Sequence, residues 1–174
     1  MEGVGSHSRS GKSRLAQQSA GGDAPLAGAL LSAGRWTFTM LLKKISYPRL
    51  KPLQKEIYNF QKVAGHLADY GFNCIKLADD WQGADFLAYH KDGSRTLKVQ
   101  LKARLTIDKK YVRKGLYMAF PIRGAWYLIE HDALVGLVKR NTNWLESPSW
   151  QERGGYSSRS PNKKLISSLT KSKL

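Results

Sequence analysis

Cysteine occurs once, at Cys74, in a chain of 174 residues. A single thiol excludes both a disulfide framework and a zinc site built on cysteines. Acids are scarce as well: 13 Asp and Glu stand against 29 Lys and Arg. Long apolar runs are missing. The longest, near Ala24–Ala33, is interrupted by Pro25, Gly28 and Ser32, short of the roughly 18–20 residues that a membrane span requires. What the chain does have is a 41% hydrophobic fraction with 5 Trp, 8 Tyr and 5 Phe, enough for one core of about 100 residues. The basic excess is uneven. Residues 1–50 carry 7 basic and 2 acidic side chains, 51–150 carry 16 and 10, and 151–174 carry 6 and 1. A mildly basic centre between cationic, acid-poor ends describes a soluble, cytoplasmic domain that attracts polyanions and does not enter membranes.

Residues 1–39 read as a tail, disordered or mis-assigned, because Gly, Ser, Ala and Arg dominate without any helical or strand period. Their Arg/Ser-rich, acid-poor composition is also that of an organellar presequence, while Met40, just before Leu41-Leu42-Lys43-Lys44, offers an alternative start. Residues 40–140 are expected to form the folded domain, and 141–174 a basic extension with a short helix over Lys163–Leu169.

From Leu53 the apolar spacing becomes helical. Ile57, Phe60, Val63, Ala64, Leu67 and Ala68 share one arc of a wheel turning about 100° per residue, and Gly71 is a natural C-cap. Glu56 falls inside that arc, between Val63 and Leu67, where an unpaired carboxylate would cost several kcal/mol. Phe72–Leu77 follows as a strand and Ala78–Gly83 as a polar loop. Ala84–His90 and Leu97–Leu105 flank Asp92-Gly93, a hairpin signal. Tyr117–Phe120 and Trp126–Ile129 are further strands, and Asp132 is placed to cap a helix from Ala133 to Lys139. The sum is a mixed α/β domain.

The second hairpin strand alternates, with Leu97, Val99, Leu101 and Ala103 on one face and Lys98, Gln100, Lys102 and Arg104 on the other. With Asp92-Gly93 at the tip, Asp85 falls opposite Gln100, their Cβ atoms roughly 5 Å apart, and Lys102 follows on the same face. A carboxylate, an amide oxygen and an ammonium therefore converge.

Glu56 on a leading helix, Gly83-Ala84-Asp85-Phe86 and Val99-Gln100-Leu101-Lys102 together resemble the PD-(D/E)XK nuclease superfamily in its Gln-x-Lys form, as in some homing endonucleases and restriction-like enzymes. The resemblance covers roughly Leu53–Val138. It implies a restriction-endonuclease-like αβββαβ core, a mixed sheet flanked by helices, and Mg²⁺-dependent phosphodiester cleavage, with Mn²⁺ as a substitute metal. Glu56, Asp85, Gln100 and Lys102 are then the catalytic set. Asp85 and the Gln100 carbonyl hold the metal with Glu56 beside them, and Lys102 holds the water or neutralises developing charge. Two positions depart from the pattern: Ala84 replaces a Pro, and Gln100 replaces an acid, which removes one negative charge and weighs against tight binding of two metals.

Lys109, Lys110, Arg113 and Lys114, clustered with Tyr111, and Arg104 just before them, are candidate phosphate contacts. The expected partner is nucleic acid, DNA before RNA, with a homodimer left open. Duller readings compete. Asp85 and Lys102 also read as an ordinary cross-strand ion pair, Glu56 as a helix-start acid, Asp79 and Asp80 as loop residues, His66, His90 and His131 as surface residues, and Cys74 as a small buried apolar group. Arg153–Arg159 reads equally as a phosphate-binding loop or as a linker. The rival functions are an inactive nucleic-acid-binding module on the same fold and a basic accessory protein of an RNA particle.

The tail reading has a direct consequence. Residues 1–39 lack the apolar periodicity needed to offset the entropy of ordering them, so a chain beginning at Met40 should melt within a few degrees of the full chain; a large drop would show that the tail packs on the domain.

Overall fold

The computed structural model describes residues 42–174, so the readings of 1–39 and of a start at Met40 lie outside the described residues. Pro52 opens the first helix, its fixed φ suited to the first turn and its missing N–H irrelevant there. The Gln54 side chain accepts from the Lys51 N–H at 2.9 Å. Helix α1 runs Pro52–Ala68 and buries Asn59, Val63 and Leu67. The buried stripe is thus rotated from the expected arc, and Ile57 at its expected centre is 45% exposed. Gly71, at φ +80, turns the chain into the sheet.

Strand β1 spans Phe72–Trp81, β2 Ala84–His90 and β3 Thr96–Leu101. Asp79 and Asp80, expected in a loop, belong to β1. The β1–β2 tip is Gln82-Gly83, both at positive φ (+56 and +90), the conformation of a type I′ turn that matches the twist of the paired strands. The second hairpin has the register expected from Asp92-Gly93: Phe86 pairs with Val99, Leu87 with Lys98 and Ala88 with Leu97. Its loop is stiffened by the Asp92 carboxylate, which accepts from the Ser94 N–H at 2.8 Å and meets His90 Nδ1 at 2.6 Å.

The run expected as one strand, Leu97–Leu105, breaks after Leu101. A separate strand, β4 (Leu105–Asp108), and a 3-10 turn, Lys109–Tyr111, carry the chain to β5 (Leu116–Ile122), which lies parallel to β3. This crossover holds no full helix, because Lys102–Gly115 has no helical apolar stripe. Strand β6 (Ala125–Glu130) returns antiparallel to β5, and α2 (His131–Asn141) follows it. Glu130, not Asp132, stands at the N-cap; the Asp132 carboxylate instead accepts from the Arg113 N–H. The chain ends with α3 (Pro148–Gln151), β7 (Gly155–Ser158) and α4 (Lys163–Ser168). The segment left open between linker and phosphate loop is largely β7, antiparallel to β4 in a two-stranded sheet.

The main sheet is mixed, in the order β1-β2-β3-β5-β6, and helices flank both faces. Phe86, Ala88, Leu97 and Val99 pack with Val63 and Leu67 of α1. On the opposite face Leu116, Met118 and Phe120 meet Leu134 and Val138 of α2 and Leu165 of α4. Trp150, Leu165 and Leu169 bring the C-terminal segment into this second core. Among the described residues no helix is long and apolar enough to cross a membrane.

Gly83 is required both by its backbone and by its neighbours. A Cβ there would lie 2.9 Å from Leu116 Cδ1 and 3.3 Å from the Tyr111 ring, whereas Gly93, at φ +74, faces open space. Gly83→Ala should therefore lose about 2 kcal/mol or more in chemical denaturation, and Gly93→Ala only the roughly 1 kcal/mol of backbone strain. Equal losses would show that Leu116 and Tyr111 do not constrain the turn.

Candidate active site

Strand β2 opens at Ala84 immediately after the tight turn, which fixes Asp85 at the mouth of the hairpin opposite the end of β3. Asp85 Oδ2 accepts from the Leu101 backbone N–H at 2.7 Å and from Gln100 Nε2. An ionised carboxylate only accepts, so the Gln100 amide must turn its NH₂ toward Asp85. Its carbonyl pays for this geometry. Gln100 is 4% exposed, and its Oε1 is buried without a hydrogen-bond partner, a state that costs about 1–3 kcal/mol in an interior.

Burial pushes the Asp85 carboxyl above its ordinary value; the Leu101 N–H, the Lys102 ammonium and the Gln100 amide act against this, while the Glu56 charge adds to it. Both Glu56 and Lys102 are thus within electrostatic reach of Asp85. Lys102 follows β3, its backbone N–H bound to Ala119 O at 2.8 Å. Its Nζ lies 5.4 Å from the centroid of the Tyr111 ring, which Lys110 Nζ approaches at 4.9 Å. Tyr111 belongs to the same core face as Met118, the partner of Gln100 in β5, so Lys102 and Gln100 project from one side of the sheet.

Glu56 differs from expectation. It is half-exposed rather than buried, with its Oε1 2.8 Å from Lys76 Nζ. Its angular position on α1 is that of Asn59, Val63 and Leu67, but its carboxylate pairs with Lys76 in contact with solvent. Glu56 and Lys102 line one cavity of about 310 Å³ together with Tyr47 and Asn59. Asp85 and Gln100 meet each other beside it and are not part of its lining.

His131, expected at the surface, is 1% exposed. Its ring stands edge-on to Tyr111 at 5.7 Å, and its Nε2 accepts from the Asp108 N–H at 3.2 Å. Burial pushes its imidazole below the ordinary value. Tyr111 is consequently set between a buried imidazole and two lysines, with the Lys102 ammonium over its ring. Cys74, expected buried, is half-buried, and burial raises its thiol pKa.

The candidate phosphate contacts are all exposed but differently held. Lys109 Nζ donates to Gln151 O at 3.0 Å and lies over the Trp150 ring. A hydrogen bond with Tyr111, helped by the Asp108 and Asp80 carboxylates, holds the Lys110 pKa up. Arg113 is bent back at φ +60, its N–H bound to Asp132. Arg104 and Lys114 project freely into solvent.

Among the described residues no group of three or more His, Cys, Asp or Glu side chains could hold a metal. Asp85 and the orphaned Gln100 carbonyl nevertheless offer oxygen atoms of the kind a hard divalent cation takes, the rest of its shell coming from water or phosphate.

No family model and no curated protein matches the chain. The solved structures that resemble it include a resolvase and a homing endonuclease. One is a Holliday junction resolvase from the archaeal hyperthermophile Archaeoglobus fulgidus, at 18% identity over 45% of this chain and 74% of that one, with a TM-score of 0.36. The other is a bacterial homing endonuclease, at 13% identity over 65% of this chain and 78% of that one, with a TM-score of 0.40.

The electrostatics of Asp85 and Glu56 separate in stability measurements. The folded Asp85 carboxyl keeps its proton to higher pH than the unfolded one, so stability falls as pH rises from 3.8 toward the folded pKa, and the deficit persists at neutral pH. Asp85→Asn should therefore melt at or above wild type at neutral pH in chelator, with the gain shrinking toward about pH 4. Glu56→Gln breaks an exposed pair and should lose less than about 1 kcal/mol. A marked loss of stability in Asp85→Asn would mean that the carboxylate is structural.

Proposed function

We propose that the chain is a metal-dependent nuclease of the restriction-endonuclease-like type, hydrolysing phosphodiester bonds in nucleic acid, DNA in the first instance. One observation carries the reading: a carboxylate that its surroundings disfavour is held by an amide NH₂ whose own carbonyl is buried and unpartnered, with a lysine ammonium on the same face. Such an arrangement is a poor way to stabilise a sheet and a reasonable way to prepare an oxygen-rich site.

Asp85 and Gln100 Oε1 would hold a divalent cation, which when bound supplies Lewis acidity toward a water and a phosphate oxygen. The chain's own groups supply the rest. The Leu101 N–H and the Gln100 NH₂ fix Asp85 Oδ2 and so orient the carboxylate. Lys102, its ammonium held over the Tyr111 ring, offers a preorganised positive charge to the phosphoryl oxygens as charge builds on them. Glu56, paired with Lys76 and lining the cavity, can accept a proton from the attacking water as the water oxygen bonds to phosphorus, the bond to the leaving sugar oxygen breaks, and that oxygen takes a proton from solvent. Arg104 and Lys114 are free to contact flanking phosphates; Lys109 is already engaged and is the weakest member of that set.

Gln100 in place of an acid favours a second reading, a nucleic-acid-binding module on the same fold without catalysis. Nicking of supercoiled DNA in Mg²⁺ or Mn²⁺ separates the two. Wild type should nick, and Asp85→Asn and Lys102→Ala should each slow nicking by about 100-fold or more while DNA affinity in Ca²⁺ stays within about threefold. Glu56→Gln should slow nicking as well. Binding without nicking by wild type would establish the second reading, and unchanged nicking by Asp85→Asn would end the first.

A further inference from the structure

The cavity at Glu56 and Lys102 does not end there. A second cavity, of about 380 Å³, shares Tyr47, Asn59 and Ala103 with it and extends along α1 past Tyr58 and Lys62 toward His66 and Trp126. We infer that this groove holds an unpaired nucleotide of the substrate strand beside the cleavage site, which gives the protein a preference for DNA with a single-stranded segment next to the cut. The inference rests on the nuclease reading and specifies its substrate class.

The lining selects the occupant. Tyr47 and Tyr58 present aromatic rings whose centroids are 5.2 Å apart and inclined at 54°. Lys55 Nζ lies 5.9 Å from the Tyr47 centroid and Lys62 Nζ 5.6 Å from that of Tyr58. No carboxylate lines the second cavity. In the second cavity, a ring with a cation at its face and no opposing acid fits a ligand that is both flat and anionic, which a nucleotide is and a simple phosphate is not. The bases of an intact duplex have their faces covered by their neighbours, so only an unpaired base can stack on a side chain.

The site is also prepared for this use. Asn59, 6% exposed in the middle of α1, donates from Nδ2 to the Tyr47 hydroxyl at 3.0 Å. A polar side chain on the buried stripe of a helix thereby fixes the tyrosine that precedes the helix. An ammonium over a half-buried ring that solvent still reaches interacts more weakly than a stacked base, so Lys55 and Lys62 can be displaced from the rings onto the phosphates of the entering strand.

The test uses the full chain in chelator, where no cleavage occurs, with a forked duplex carrying 2-aminopurine in its single-stranded arm. Wild type should quench the probe by stacking and bind the fork more tightly than the matching blunt duplex. Tyr58→Leu should lose the quenching and bind the fork about tenfold more weakly, with duplex affinity unchanged within about twofold, whereas Tyr58→Phe, which keeps the ring, should behave as wild type. Thermal melting of both variants checks that they fold. If Tyr58→Leu leaves fork binding and quenching intact, or weakens fork and duplex alike, the inference fails. Asp85→Asn should quench as wild type does. Quenching by a protein that never nicks would retain the groove and remove the nuclease reading; nicking without quenching would do the reverse.

Discussion

The pairing of β2 with β3 is the constraint on which the candidate site depends. Phe86 opposite Val99 and Ala88 opposite Leu97 place four apolar side chains against α1. The same register leaves Asp85, Gln100 and Lys102 on the other side. Because side chains alternate at every residue, a slip of one position would move Phe86 and Val99 out of the core and dismantle the polar set in the same step. The hydrophobic energy of the α1 face therefore specifies the geometry of the opposite face, although none of the residues on that face contributes much to it.

The polar set itself works against stability. Asp85 is partly desolvated, Glu56 adds like charge to its surroundings, and Gln100 spends its amide on Asp85 at the expense of its own carbonyl. Such local conflicts are characteristic of sites shaped by function. They are tolerated because Phe86 and Met118, both fully buried, lie beside them in a close-packed interior where losing a large side chain costs about 3–5 kcal/mol. Tyr111 links the two regimes. It is a core residue packed on His131 that also serves as the platform for Lys102.

Much of this was legible in the sequence because it rests on local rules. Asp92-Gly93 and the alternation from Leu97 to Arg104 are enough to put Asp85 opposite Gln100. The helix from Pro52 and its arc of Val63 and Leu67 are equally local. What escaped was set by distant partners. Glu56 was expected to be buried among Val63 and Leu67, but its exposure and its pairing with Lys76 depend on how α1 packs, which the local pattern does not contain. Gln82-Gly83 forms an I′ turn despite an unremarkable first residue, so Asp79 and Asp80 read as loop. Strands β4 and β7 are four residues each and far apart in the chain, too short for periodicity to register. His131 carries no mark of burial in its neighbours; it is buried because Tyr111 and Asp108 close over it.

The central proposal is that Asp85 and the Gln100 carbonyl hold a divalent cation, and calorimetric titration of the full chain with Mn²⁺ tests it without reference to substrate or turnover. The account predicts saturable binding that Asp85→Asn abolishes and that Gln100→Glu, by restoring an acid beside Asp85, strengthens. Binding that survives Asp85→Asn unchanged, or an absence of binding in both wild type and Gln100→Glu, would contradict it.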